Sequence, residues 1–301
     1  MKIQVYPLTG FPSPQLADKA QGLLDLDHLG LEVPSALIVP REFCLLYEHC
    51  DTSDRRSIID DLVSKLTSLR TSLASHIPLL AFRCSTKNRR GTPRLLPDSV
   101  LNLGLDRDVI AAARARGVAD DVIEDVERNC LAHAEAFFGF IGVEMPPQFV
   151  WRPLHEQLES LLVGVFSYFL RVRQESADVA GFRDLIVQQM VFGNLDSRSL
   201  TGMCYTRHPY TGVEMDYGHF IVGRQGMSLG GVSSELQRDL AEMESINPSA
   251  YRYLKAACKL LESHYHDIRS LEYTAEGERM YLLQNTIGNR TFRIRDGACS
   301  A

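Results

Sequence analysis

The sequence offers no paired-cysteine motif, no surplus of positive charge and no long apolar run. Its seven cysteines, at 44, 50, 84, 130, 204, 258 and 299, form no Cys-x-x-Cys pair and leave one over. That argues against a structural zinc site or a disulfide framework, and it predicts free thiols in a reducing cytoplasm. The net charge is −6, and the basic clusters Lys87-Asn88-Arg89-Arg90 and Arg293-Ile294-Arg295 are short. A binder of nucleic-acid backbones is therefore not expected. The apolar stretch Leu161–Leu170 is broken by Gly164 and Ser167 and falls short of the about 20 residues that span a bilayer. Residues 1–15 lack the apolar core of a secretory signal. Neither G-x-G-x-x-G nor G-x-x-x-x-G-K-[ST] occurs, which removes support for Rossmann and Walker phosphate sites. Repeats, low-complexity tracts and Gly/Ser linkers are lacking as well.

What is there suits a globular protein: 301 residues, 45% apolar and 23% charged, enough for one large or two modest domains. Ala17–Leu26 reads as a helix and Leu37-Ile38-Val39 as a short strand. Ile58, Ile59, Leu62, Val63, Leu66, Leu69 and Leu73 form a helical stripe, with Ser53 or Asp54 as its cap. Leu79–Phe82 reads as a buried strand. Val109–Arg116, Val122–Phe138 and Leu154–Arg173 are rich in helix formers. After Gly181 the pattern turns to strands at Leu185–Phe192, Met203–Thr206, Phe220–Val222, Leu271–Thr274 and Met280–Gln284, interrupted by a helix over Pro248–His266. The expected class is α+β: an N-terminal lobe over residues 1–105, a helical segment over 106–180 and a C-terminal lobe over 181–301. Small-ligand sites often form between such lobes.

A few residues invite a chemical reading. Arg83 ends an apolar strand, where a guanidinium needs water, a carboxylate or a phosphate. Lys19 lies early on a helix, where most lysines are simply solvated. Glu272 and Gln284 stand on two strands around the turn Ala275-Glu276-Gly277-Glu278 and are an even number of residues apart. On one face, their oxygens suit a hard cation such as Mg²⁺ shared with phosphates; otherwise they are two exposed hairpin polars. Val187-Gln188-Gln189-Met190-Val191 is either plain core or a strand whose backbone reads a flat heterocycle. Seven glycines between 202 and 231 suit tight turns and close ligand approach. His155 lacks the second histidine of a zincin helix, and His264, His266 and Asp267 suit a helix end. His208 is a histidine near the glycine-rich stretch with no role that its spacing reveals.

Taken in order, these segments resemble the N-terminal ATP-grasp nucleotide-binding domain of the pyruvate phosphate dikinase and phosphoenolpyruvate synthase family. Lys19-Ala20-Gln21-Gly22-Leu23 with Leu29-Gly30-Leu31-Glu32-Val33-Pro34 is similar to the family's opening. Ala81-Phe82-Arg83-Cys84-Ser85 resembles its strand end, and Asp98-Ser99-Val100-Leu101-Asn102-Leu103-Gly104-Leu105 resembles the dikinase form. Val187–Asn194, Thr201-Gly202, Thr206–Gly212, Tyr217–Phe220, Gln225-Gly226, Leu282-Leu283-Gln284 and Gly288–Thr291 follow in the family's order. The resemblance implies ATP and Mg²⁺ as cofactors. Lys19 and Arg83 would contact phosphates as the catalytic cations, Gln188, Gln189, Met190 and Val191 would form the adenine hinge, and Glu272 and Gln284 would hold the metal. ATP would lie between two strand-containing lobes.

The chain also departs from the family. Two residues after the metal-binding glutamine, where the family has an arginine, stands Thr286, which cannot neutralise phosphate charge. The phosphate-covering loop is bulky and basic over residues 89–97, so Arg90 or Arg94 is a candidate replacement cation. Met227-Ser228 replaces an acidic pair. Neither a phosphorylatable-histidine segment nor a phosphoenolpyruvate barrel is expected within these 301 residues. The resemblance thus implies a stand-alone, cytoplasmic ATP-dependent phosphotransferase, with no nucleic-acid or membrane partner. Its acceptor would be a small molecule or a histidine on a separate carrier protein. A catalytically degenerate ATP-binding sensor or scaffold is the alternative, and ligation through an acyl phosphate is a third.

Overall fold

The alternation Leu80, Phe82, Cys84 in one strand and Leu185, Val187 in its neighbour sets the first layer of the fold. The computed structural model describes residues 5–8, 16, 18–73, 75, 77–86, 99–175, 182–225, 236–288, 293–295 and 298–300. The basic loop with Arg90 and Arg94, Gly226-Met227-Ser228 and Asn289-Arg290-Thr291 lie outside them. By contacts the chain forms two compact units, Met1–Gln21 with Ser35–Met190, and Gly22–Pro34 with Val191–Ala301. The helical segment after residue 106 belongs to the first.

The first unit holds strands β1 (Tyr6–Pro7), β2 (Ala36–Pro40), β3 (Leu80–Thr86), β4 (Val100–Leu103) and β5 (Phe182–Gln189). They pair antiparallel in the order β1-β2-β5-β3-β4. Helix α1 (Asp18–His28) starts in this unit, which also contains α2 (Glu42–His49), α3 (Thr52–Thr71), α4 (Arg107–Ala115), α5 (Asp120–Ile141) and α6 (Leu154–Glu175). The cap of α3 is Asp51, not Ser53 or Asp54: its carboxylate accepts the Asp54 N–H at 2.9 Å. Ile59, Leu62, Leu66 and Leu69 then bury one stripe of that helix. They join Phe137, Phe138 and Ile141 of α5 and Leu158, Leu161, Leu162, Val165 and Phe166 of α6 over the β3–β5 face. Phe82, Phe137, Phe138 and Phe149 continue as an edge-to-face chain with centroids 6.0, 5.5 and 5.3 Å apart. Each fully buried ring contributes about 2–3 kcal/mol of transfer free energy. Helix α2 is an addition to the sequence reading, which saw no periodicity in so short a segment.

The second unit contains β6 (Leu200–Tyr205), β7 (Tyr217–Val222), β8 (Arg238–Asp239), α7 (Met243–Ile246), α8 (Pro248–Tyr265), β9 (Arg269–Glu276), β10 (Arg279–Ile287), β11 (Arg293–Arg295) and β12 (Ala298–Ser300). Its main sheet runs β10-β9-β6-β7-β8, all antiparallel, and β11 pairs with β12. Asn247 caps α8 by accepting the Ala250 N–H at 3.1 Å, and Pro248 occupies the first helical position. Leu254, Ala257, Cys258 and Leu261 of α8 are buried; in the sheet, so are Cys204, Phe220, Leu271 and Tyr273. The later part of α1 lies close to β10, because a Cβ at Gly22 would stand 2.3 Å from the Asn285 carbonyl oxygen. Beside that approach the Tyr265 hydroxyl donates to Asp25. Asn285 Nδ2 donates to Tyr265 Oη at 3.1 Å and Arg269 Nε donates to Asn285 Oδ1 at 2.8 Å. Cys44, Cys50, Cys84, Cys130, Cys204 and Cys258 are free thiols, and all but Cys50 are buried: Cys44, Cys84 and Cys130 in the first unit, Cys204 and Cys258 in the second.

Candidate nucleotide site

In the first unit, Arg83 is 9% exposed and donates from Nη1 to Gln188 Oε1 at 2.8 Å. The register sets Ala81 opposite Gln188 and Arg83 opposite Ile186. Arg83 and Gln188 are therefore diagonal neighbours on the face that points away from Phe82 and Val187. A charge-assisted bond in so dry a setting fixes the guanidinium's direction. Sequence reasoning assigned Gln188 a backbone role, and its side chain proves to be a holder of Arg83. Lys19 sits half-buried in the first turn of α1.

The segment after β5 has a definite backbone account. The Gln189 N–H donates to Ser35 O at 2.8 Å and the Met190 N–H to Leu79 O at 2.9 Å. The Phe192 N–H donates to the Glu276 carboxylate at 2.7 Å. Among the described residues the Val191 N–H has no partner.

In the second unit, Glu272 and Gln284 stand directly opposite each other across β9 and β10. Even spacing alone does not achieve this. The turn pairs Glu276 with Arg279 and the ladder continues to Tyr273 with Leu282. A regular ladder would next bring Leu283 opposite Glu272 and turn Gln284 to the other face. A β-bulge between Leu282 and Gln284 absorbs Leu283 and restores the pair. The same register row continues through Met203, His219 and Asp239, one residue from each remaining strand. Glu272 is exposed and Gln284 half-buried. Thr286 lies two rows along, opposite Ser270.

A carboxylate and an amide oxygen on adjoining strands are hard donors that fit Mg²⁺. Among the described residues no group of three or more His, Cys, Asp or Glu side chains could hold a metal ion.

Two histidines complete the picture. His208 Nδ1 accepts the backbone N–H groups of Tyr210 and Thr211 at 3.3 and 3.2 Å. Those bonds fit the neutral ring with its proton on Nε2. Burial pulls the His219 imidazole below its usual range against the opposing pull of Asp239.

Sequence reasoning passed over Glu276 as a turn residue. The signal was available: Glu272, Thr274 and Glu276 alternate along one strand and so share one face. Burial pushes its carboxyl above the ordinary glutamate range, opposed by the Phe192 N–H and Arg279.

These features define an α+β protein with two five-stranded antiparallel sheets, one of which carries a hard-donor pair on an alternating polar face. Over most of its length the chain is similar to pyruvate, phosphate dikinases. It is 26% identical to the chloroplastic pyruvate, phosphate dikinase of Flaveria pringlei over 92% of its length, covering 34% of that protein. Against chloroplastic pyruvate, phosphate dikinase 1 of Zea mays the identity is 27%, with 92% of this chain and 34% of the relative covered. Against the Rickettsia felis enzyme it is 24%, covering 92% and 37%. The chain spans about a third of the length of the curated relatives it matches. No family model matches it. Among the described residues no helix is long and apolar enough to cross a membrane.

Proposed function

We propose that this chain folds as an ATP-grasp domain, binds Mg²⁺·ATP and passes a phosphoryl group to an acceptor. The acceptor would be a small molecule or a histidine on a separate carrier protein. The observation that carries the reading is the bulge that sets Glu272 opposite Gln284. Together with the dikinase likeness, it supports the pair as the metal holder. Mg²⁺ bound there would neutralise phosphate charge. Arg83, aimed by Gln188, and Lys19 would contact phosphate oxygens, and charge placed in advance is the main contribution a protein makes to phosphoryl transfer. The Gln188–Val191 segment would take the base edge.

Titration calorimetry with ATP, with and without Mg²⁺, followed by a phosphate-transfer assay, tests the reading. Wild-type protein should bind ATP more tightly with Mg²⁺, and Glu272→Ala should lose both that gain and all Mg²⁺-dependent turnover. Unchanged turnover in Glu272→Ala would discard the site.

A second reading is favoured by Thr286, which supplies no cation where the family has one. There the chain is a nucleotide sensor, and tight Mg²⁺·ATP binding without turnover across small-molecule and histidine-protein acceptors is the expected result.

A further inference from the structure

We infer that Glu276 is the positioning residue for the base end of the nucleotide site and sets its preference for adenine over guanine; this rests on the ATP reading above. Glu272, whose cross-strand partner is Gln284, and Glu276 share one face of β9 and stand four residues apart, about 14 Å at about 3.4 Å per residue. That is a distance a nucleoside triphosphate covers between its base and its outer phosphates. With phosphates at Glu272, the base comes to the end of the strand where Glu276 accepts the Phe192 N–H at 2.7 Å.

The carboxylate sits on a braced turn. Asn247 Nδ2 donates to the Gly277 carbonyl at 2.6 Å, and the Gly277 N–H donates to Ser199 Oγ at 2.9 Å. Gly277 has φ +56°, which suits a residue without a Cβ. Phe192 itself is fully enclosed, so its N–H keeps one direction. A half-buried acceptor with a fixed arm is what a positioning residue requires.

The consequence is a count of donors. The Gln189, Met190 and Phe192 N–H groups are all engaged, and Val191 alone keeps one free among the described residues. A single donor meets N1 of adenine, which accepts. It opposes N1–H of guanine, which donates, and an unmatched buried donor pair is strongly disfavoured. Loss of the Glu276 carboxylate would free the Phe192 N–H as a second donor, suited to the guanine O6.

Calorimetry on wild-type, Glu276→Ala and Glu276→Gln proteins with Mg²⁺·ATP and Mg²⁺·GTP tests this. Glu276→Ala should weaken ATP binding about tenfold and narrow the ATP/GTP ratio. Glu276→Gln, which keeps an acceptor oxygen, should restore most of both. In turnover, KM for ATP should rise while kcat holds within about twofold. If Glu276→Ala does not fold, Glu276→Asp carries the test, since it keeps the charge and shortens the arm. Wild-type binding of ATP with unchanged affinity and ratio in the folded variant overturns this inference alone, as would a fall in kcat at constant KM. Failure of the wild-type protein to bind ATP overturns it together with the ATP reading.

Discussion

Glu272 is exposed in its strand and Arg83 is enclosed in its own, so removing either should stop nucleotide chemistry at very different costs in stability. Glu272→Ala should shift the unfolding free energy by less than about 0.5 kcal/mol. Arg83→Ala, which loses the bond to Gln188 and the packing of the arginine stem, should cost about 2 kcal/mol. Denaturant unfolding of both variants measures the contrast. Glu276 adds a pH signature. Its folded-state carboxyl holds its proton more firmly than the free side chain. Its contribution is therefore full below the ordinary value of 4.5 and fades as pH rises through the folded value. Relative to wild type, Glu276→Gln should gain stability between acid and neutral pH, as paired melts across that range would show. Arg83 and Glu272 were legible in the sequence because each breaks its local apolar pattern. Gln188's hold on Arg83 was not, because it depends on which strands become neighbours.

At the scale of elements, the hairpin Arg269–Ile287 shows where local reading stops. Both strands announce themselves by alternation, but the bulge depends on packing along the whole ladder, and period counting cannot see it. It also yields an unusual expectation. Deleting one leucine of Leu282-Leu283 removes the surplus residue and leaves Gln284 opposite Glu272 and Asn285 opposite Leu271. Deleting Asn285 instead removes the acceptor of Arg269 and slides Thr286 into its place. The first variant should keep Mg²⁺·ATP binding and melt near wild type. The second also leaves Gln284 opposite Glu272 but should lose about 3 kcal/mol or more in stability; thermal melts and calorimetry on both decide. The long helices were read well from composition, whereas α2, β4 and β8 are too short for periodicity to register.

For the whole molecule, the class α+β was legible from the strand-rich ends and helical middle. The grouping of the chain was less so, because residues 22–34 leave the N-terminal portion and join Val191–Ala301 by contact. Such an excursion has no compositional mark. Two compact units with separate apolar interiors should not melt as one. Scanning calorimetry is expected to resolve two transitions, and a single transition with equal calorimetric and van't Hoff enthalpies would contradict that.

The enclosed thiols turn this into something that can be timed. Burial pushes the Cys130 thiol up to about 12, and a protonated, covered sulfur is inert to alkylating reagents until its surroundings open. Cys44, Cys84 and Cys130 therefore clock the opening of one interior, and Cys204 and Cys258 that of the other. Peptide-resolved labelling of unmodified protein would report two opening rates without a single probe being introduced.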